Sequence, residues 1–168
     1  MFVHLCIHSL YISISYIKQK RFILNKNSQY QSSSIKINYE DIQFIIQNSE
    51  NCLLINTLSS EEQNCLITKT INIHNEENII NNCMKNGVKE IKIVIYGKNS
   101  NDEKIYDKYN QLHSLGFYNV YIYTGGLFEW LMLQDIYGEK EFPTTTKELD
   151  ILKYKPNKVL NVPLLEYV

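Results

Sequence analysis

A chain of 168 residues with 44% hydrophobic composition is long enough to bury one sizeable core. Its formal charge is −1, its pI is near 6.4, and Arg21 is the only arginine among 17 basic residues. That balance argues against a nucleic-acid surface, which calls for clustered cations and bidentate guanidinium groups.

Residues 1–17 (MFVHLCIHSLYISISYI) form an ambiguous apolar segment followed by Lys18, Lys20 and Arg21. The segment is at the short limit for spanning a bilayer, contains His4, His8 and three serines, and lacks the leading basic residues and small-residue cleavage site of a signal peptide. A membrane anchor is therefore disfavoured, and an extra strand or a poorly packed extension is the expectation. His4, Cys6 and His8 alternate and would share one face of a strand, but a fourth zinc ligand is missing. No metal site is expected.

Residues 25–34 (NKNSQYQSSS) read as a linker, so residues 1–34 form an extension and the folded domain begins near Ile35. Asn38 is placed to cap a helix with Glu40 and Asp41 in its first turn and Ile42, Ile45 and Ile46 on its buried face. Asn48 to Asn51 ends it. Cys52 to Ile55 predicts a short buried strand, Leu66 to Ile73 another, and Glu76 to Lys85 a helix that Gly87 closes.

Residues 90–96 (EIKIVIY) alternate and then merge into a β-branched run, the pattern of a strand covered on both faces. The polar loop Gly97 to Asp102 comes next, at its carboxyl end, and Ser100 with Glu103 fits a capping box that opens a helix. That helix places Ile105, Tyr109 and Leu112 on one face and ends at Gly116. A strand from Asn119 to Tyr123 leads to Gly125-Gly126. Phe128 to Tyr137 predicts an apolar helix, with Leu127, Trp130, Leu131 and Gln134 at helical spacing and Gly138 at its end. Thr145 with Glu148 fits a second capping box, for a final helix near 146–153 stopped by Lys155-Pro156. The domain thus spans 35–155, and 156–168 is a tail. The alternation predicts an α/β fold, a mainly parallel five-stranded sheet with helices on both faces.

The unit built from IVIYG, LGFYNVYIY and GGLFEW resembles the carboxyl half of a rhodanese-like domain, in which a buried strand ends in a tyrosine-cysteine pair and a loop holds the catalytic cysteine. The resemblance extends over residues 35–137: Cys52 to Leu58 is similar to the family's "L-I-D-x-R", with Asn56 in place of the aspartate and Leu58 of the arginine. Leu66 to Ile73 is similar to "H-I-x-G-A-x-N-I", with Thr70 at the alanine. The family cysteine is absent. Gly97, Asn99 or Ser100 takes its position, depending on register, because the loop is longer than the common form.

The four cysteines show no C-x-x-C pairing, so no redox or zinc-ribbon site is predicted and no cofactor is implied. Cys65, in a loop, is the thiol to test as a displaced nucleophile. A serine hydroxyl or an asparagine amide cannot become a persulfide, so the resemblance implies a catalytically inactive, cytoplasmic binding or regulatory module with a protein partner yet to be identified. The alternatives are a sulfurtransferase using a displaced nucleophile and a related phosphatase-like enzyme. Gly97, Lys98, Asn99, Ser100, Asn101 and Asp102 are expected to form a vestigial, weak anion-binding loop, because their amides precede a helix N-terminus.

Overall fold

The computed structural model describes residues 34–160. The chain divides into two units, Met1–Ile35 and Lys36–Val168, and the folded domain belongs to the second, with Ile35 at the boundary. The His4, Cys6 and His8 alternation and the apolar segment 1–17 lie outside the described residues. Four strands, β1 (Ile35–Ile37), β2 (Cys52–Asn56), β3 (Lys92–Tyr96) and β4 (Val120–Tyr123), form one sheet in the order β1-β4-β3-β2. β3 is flanked by parallel partners, with Ile95 opposite Ile55 on one side and Ile122 on the other. Among the described residues four α-helices accompany it: α1 (Tyr39–Gln47), α2 (Ile73–Lys85), α3 (Lys104–Ser114) and α4 (Gly126–Tyr137). Among the described residues, no helix is long and apolar enough to cross a membrane.

Because successive strand side chains point to opposite faces, the central strands feed two cores. Leu54, Val94, Tyr96 and Tyr123 meet Ile42 and Ile45 of α1 and Leu127, Trp130 and Leu131 of α4. Ile55, Ile93, Ile95, Val120 and Ile122 meet Ile80 of α2 and Ile105, Tyr109 and Leu112 of α3. This double cover explains why β3 reads as a nearly continuous apolar run. The apolar residues of α4 at the spacing Leu127, Trp130, Leu131 are core.

Local chemistry sets the helix ends. Asn38 and Asp41 form a reciprocal capping box at the start of α1, each side chain accepting from the other's backbone N–H. At the end of α3, Gly116 takes φ +89°, while Gly116 N and Phe117 N donate to the carbonyls of His113 and Leu112.

Two predicted elements do not form. Among the described residues the sheet has four strands rather than five, because the Leu66 to Ile73 segment folds back on itself: Lys69 takes φ +70°, and the amide and hydroxyl of Thr70 both donate to the Ile67 carbonyl. What remains of strand pairing is a bridge from Thr70 to Leu54 and another from Ile67 to Thr144, and Ile73 already begins α2. The final helix near 146–153 is replaced by a 3-10 turn at Ile151–Tyr154. Thr145 is not free to cap, since its hydroxyl accepts from Leu66 N while its own amide donates to Leu66 O.

Ile95 is fully buried at the middle of the central strand. Ile95→Ala is expected to lower unfolding free energy by about 2–5 kcal/mol, the cost of a cavity that a doubly covered strand cannot close. Ile35→Ala, at a site 55% exposed, is expected to leave the urea midpoint nearly unchanged.

Candidate functional site

The loop after β3 is held from below before any of its side chains act. The carbonyls of Gly97 and Lys98 accept from Leu127 N at 2.9 Å and Phe128 N at 3.0 Å, which are first-turn amides of α4. Their approach requires Gly126. It takes φ +65°, and a Cβ there would stand 2.7 Å from Gly97 O and 2.8 Å from Asn99 N, both backbone atoms that have nowhere to go. The Gly125-Gly126 turn therefore fixes where the loop sits at the carboxyl ends of the parallel strands, the usual place for a ligand in an open α/β sheet.

The side chain at the centre of the loop is Asp102. Its Oδ2 accepts from Lys98 N at 2.9 Å and from the Thr57 hydroxyl at 3.2 Å, and its Oδ1 accepts from Lys104 N at 3.1 Å. The carboxylate thus takes two amide donors near the positive end of α3 that an external anion could otherwise use. It also caps the helix. The expected Ser100 and Glu103 capping box does not form: Glu103 makes no side-chain capping bond and Ser100 is exposed on a turn in which Asp102 N donates to Asn99 O.

The three candidate positions for the missing cysteine have different fates. Gly97 directly follows the last residue of β3, and a Cβ on it would lie 2.5 Å from Asp102 Oδ2. The room for a side chain at 97 is filled by the carboxylate. Asn99 is buried, its Oδ1 accepting from Asn101 N at 3.0 Å and its Nδ2 donating to Tyr154 O at 2.7 Å. Ser100 is exposed on its turn. Cys65 is not brought forward as a substitute nucleophile. It is 1% exposed, its thiol donates to Thr146 O, and burial raises its pKa above the ordinary thiol value, the opposite of what a thiolate needs.

A hollow of about 490 Å³ opens beside the loop. Its lining combines Lys98, Lys104 and Lys155 with Glu62, Asp102, Glu103 and Asp107, so its charge is mixed and not basic. Lys98 is drawn away by an ion pair of 2.6 Å with Glu62. The hydrogen bond from Lys98 holds the Glu62 carboxyl below the usual carboxylate range. The neighbouring wall is uncharged: Asn56, buried, exchanges side-chain amide hydrogen bonds with Gln63 at 3.1 and 2.9 Å and caps Leu58 N, while Leu58 is buried in the core.

No motif in the sequence singles out Glu62, Gln63 or Tyr154. The Asn56-Gln63 pairing has a faint signal there, a buried amide left without its charged partner at 58. Among the described residues, no group of three or more His, Cys, Asp and Glu is arranged to hold a metal ion.

A family model described as "Rhodanese-like domain" matches residues 42–133, more than half of the chain. A rhodanese-like domain from Anabaena sp., solved by NMR, is 19% identical, with 79% of this chain and 92% of that one covered and a TM-score of 0.46. A protein from Bacillus halodurans is 20% identical over 68% of this chain and 80% of its own, TM-score 0.44. A full-length protein from Lactobacillus plantarum is 16% identical over 77% and 99%, TM-score 0.47. No curated protein sequence matches the chain.

The steric competition between position 97 and Asp102 is measurable. Gly97→Ala is expected to destabilise the domain by about 1–3 kcal/mol, the usual cost of overpacking, and to cost at least about 1 kcal/mol less when Asp102→Gly has emptied the space. Urea unfolding of the two single variants and the double variant gives the coupling. The Glu62 carboxyl, lowered by Lys98, contributes stability that is complete above its unfolded pKa and is lost as pH falls through the folded value. Glu62→Gln should therefore flatten the acid limb of a stability-versus-pH curve below about pH 4.5 and leave the neutral region little changed.

Proposed function

The chain belongs to the rhodanese-like domain family, and from that premise we propose that it is a catalytically inactive member working as a binding or regulatory module. The observation that carries this reading is the pairing of Gly97 with Asp102: where a nucleophile would leave β3 there is no side chain, and a carboxylate fills the space one would need. Sulfur transfer requires a thiolate that attacks the donor and holds the persulfide, and phosphatase-like chemistry in this fold requires the same thiolate. The hollow beside the loop is the binding site, and its ligand is part of a partner protein. Its mixed charge supports a polar protein segment over a phosphorylated one. An external sulfate or phosphate binds only weakly, since Lys98 N and Lys104 N already serve Asp102 and the Lys98 side chain already serves Glu62. Cys52, Cys65 and Cys83 are free thiols, which supports a reducing compartment such as the cytoplasm.

Purified protein is expected to show no thiosulfate-to-cyanide sulfur transfer above the protein-free blank. The same sample, treated with thiosulfate and digested for mass spectrometry, should carry no persulfide on any cysteine. Sustained turnover with a persulfide at Cys65 would overturn the reading. Sulfate titrated against the amide signals of residues 97–103 should give shifts that do not saturate in the millimolar range.

A further inference from the structure

One corner of the sheet is incompletely covered. On the face that meets α1 and α4, Tyr96 and its β4 neighbour Tyr123 are both buried and pack with Leu127 and Trp130. Two residues back along the strands the cover fades. Leu54 and Val94 are buried, but Tyr121, next in the same row, is only half-buried, and so is Ile37 of the edge strand β1. Phe44 of α1 stands beside them 57% exposed, although Ile42 and Ile45 on the same helix are buried. Together these side chains bound a groove of about 230 Å³, with Ile45 and Val94 as its most buried residues.

Two charged residues complete the lining. Asp41 is committed to the start of α1: its Oδ2 accepts from Asn38 N at 3.1 Å, and the positive end of the helix offsets its charge. Lys92, the first residue of β3, is exposed, and its ammonium is in no ion pair among the described residues. The uncommitted charge of an otherwise apolar groove is therefore positive.

We propose that this groove is a second docking site for a partner protein, taking one large apolar side chain that has a carboxylate beside it. Size selects the anchor. The groove is smaller than the roughly 300–1,000 Å³ of small-molecule sites but has room for a single large side chain. Seven residues line it, against roughly 20–30 a side in a stable dimer, so it is too small to hold a second copy of this chain by itself. The rings of Phe44 and Tyr121 give an aromatic or leucine-like anchor its contact area. Charge selects the neighbour: the Lys92 ammonium favours an anchor flanked by an acid over one flanked by a neutral or basic group. The groove shares no residue with the hollow after β3, so the proposal stands independently of the binding site assigned there.

The test titrates the full chain with N-acetylphenylalaninate, one aromatic side chain next to one carboxylate, and with its uncharged amide. The backbone amide signals of Phe44, Ile45, Lys92, Val94 and Tyr121 are followed by NMR. Both compounds should give saturable shifts at these residues in the millimolar range, with the carboxylate binding about threefold tighter at low salt, the size of one exposed ion pair. Lys92→Gln should remove that preference and leave the affinity of the amide unchanged. Phe44→Ala, at an exposed helix position, should weaken both compounds about fivefold. Shifts that do not saturate, or that saturate elsewhere on the domain, overturn the site, and equal affinity for the two compounds overturns the acidic partner. Self-association measured by sedimentation should be the same with and without Phe44→Ala; a dimer that the variant dissociates would overturn the partner in favour of a second copy. Should Phe44→Ala not fold, the comparison of the two compounds on Lys92→Gln decides the proposal by itself.

Discussion

The close approach of the Gly125-Gly126 turn to the backbone of the loop after β3 is the constraint on which the rest of the site depends. With no room for a Cβ at Gly126, the first-turn amides of α4 reach the carbonyls of Gly97 and Lys98, and those two carbonyls are committed to the protein's interior side. Peptide geometry then turns the neighbouring N–H groups toward the opening, where buried or half-buried donors must find an acceptor. The fold thus presents a set of donors, and the particular sequence decides what they hold.

Here they hold the chain's own carboxylate. Asp102 satisfies two loop amides and the Thr57 hydroxyl, ties the loop after β2 to the loop after β3, and serves as the helix cap of α3. A fixed internal carboxylate is preorganised and loses no translational freedom, so an external anion of similar strength starts at a disadvantage. The charges around it work in the same direction. Glu62 draws Lys98 aside, and Asn56 forms a neutral reciprocal amide pair with Gln63 in a neighbouring wall. The family fold is kept, and within it Asp102 and Glu62 give Lys98 and Lys104 partners from the chain itself.

The two-sided core explains how such changes are tolerated. Ile95, Ile93 and Ile122 on one face and Val94, Tyr96 and Tyr123 on the other carry the burial, and the loops lie beyond the strand ends where they contribute little to it. Tyr96 joins the two regions: its hydroxyl, at the last residue of β3, accepts from Ile67 N and bonds Thr70 Oγ1, and burial pushes its pKa up so that it remains a neutral phenol. This fixes the turn that replaces the fifth strand and the backbone from which Gly97 departs.

Sequence alone determined the features that depend on neighbours along the chain. Alternation merging into a β-branched run located β3, and short apolar runs located β2 and β4; 3.6-residue spacing located the buried stripes of α1, α3 and α4; and glycines, which take positive φ, closed the helices at 87, 116 and 138. The lack of a thiol between Gly97 and Asp102 was equally plain. Tertiary structure decided the choices in which a polar group had several partners within reach. Ser100 with Glu103 and Thr145 with Glu148 both satisfied the spacing of a capping box, but Asp102 caps α3, and Thr145 pairs with Leu66, 79 residues away. Leu66 to Ile73 had strand composition, yet Thr70 bonds back to Ile67 and the contact with β2 is confined to Leu54, which Thr70 bridges and to whose carbonyl Ile71 N donates. The occupant of the loop also depends on distant residues, since the oxygen of Asp102 that blocks position 97 is shared with Thr57, 45 residues earlier. Local periodicity records which face of an element is apolar; a hydrogen bond between remote loops leaves no periodic trace, because it requires only that two compatible groups be brought together by the fold.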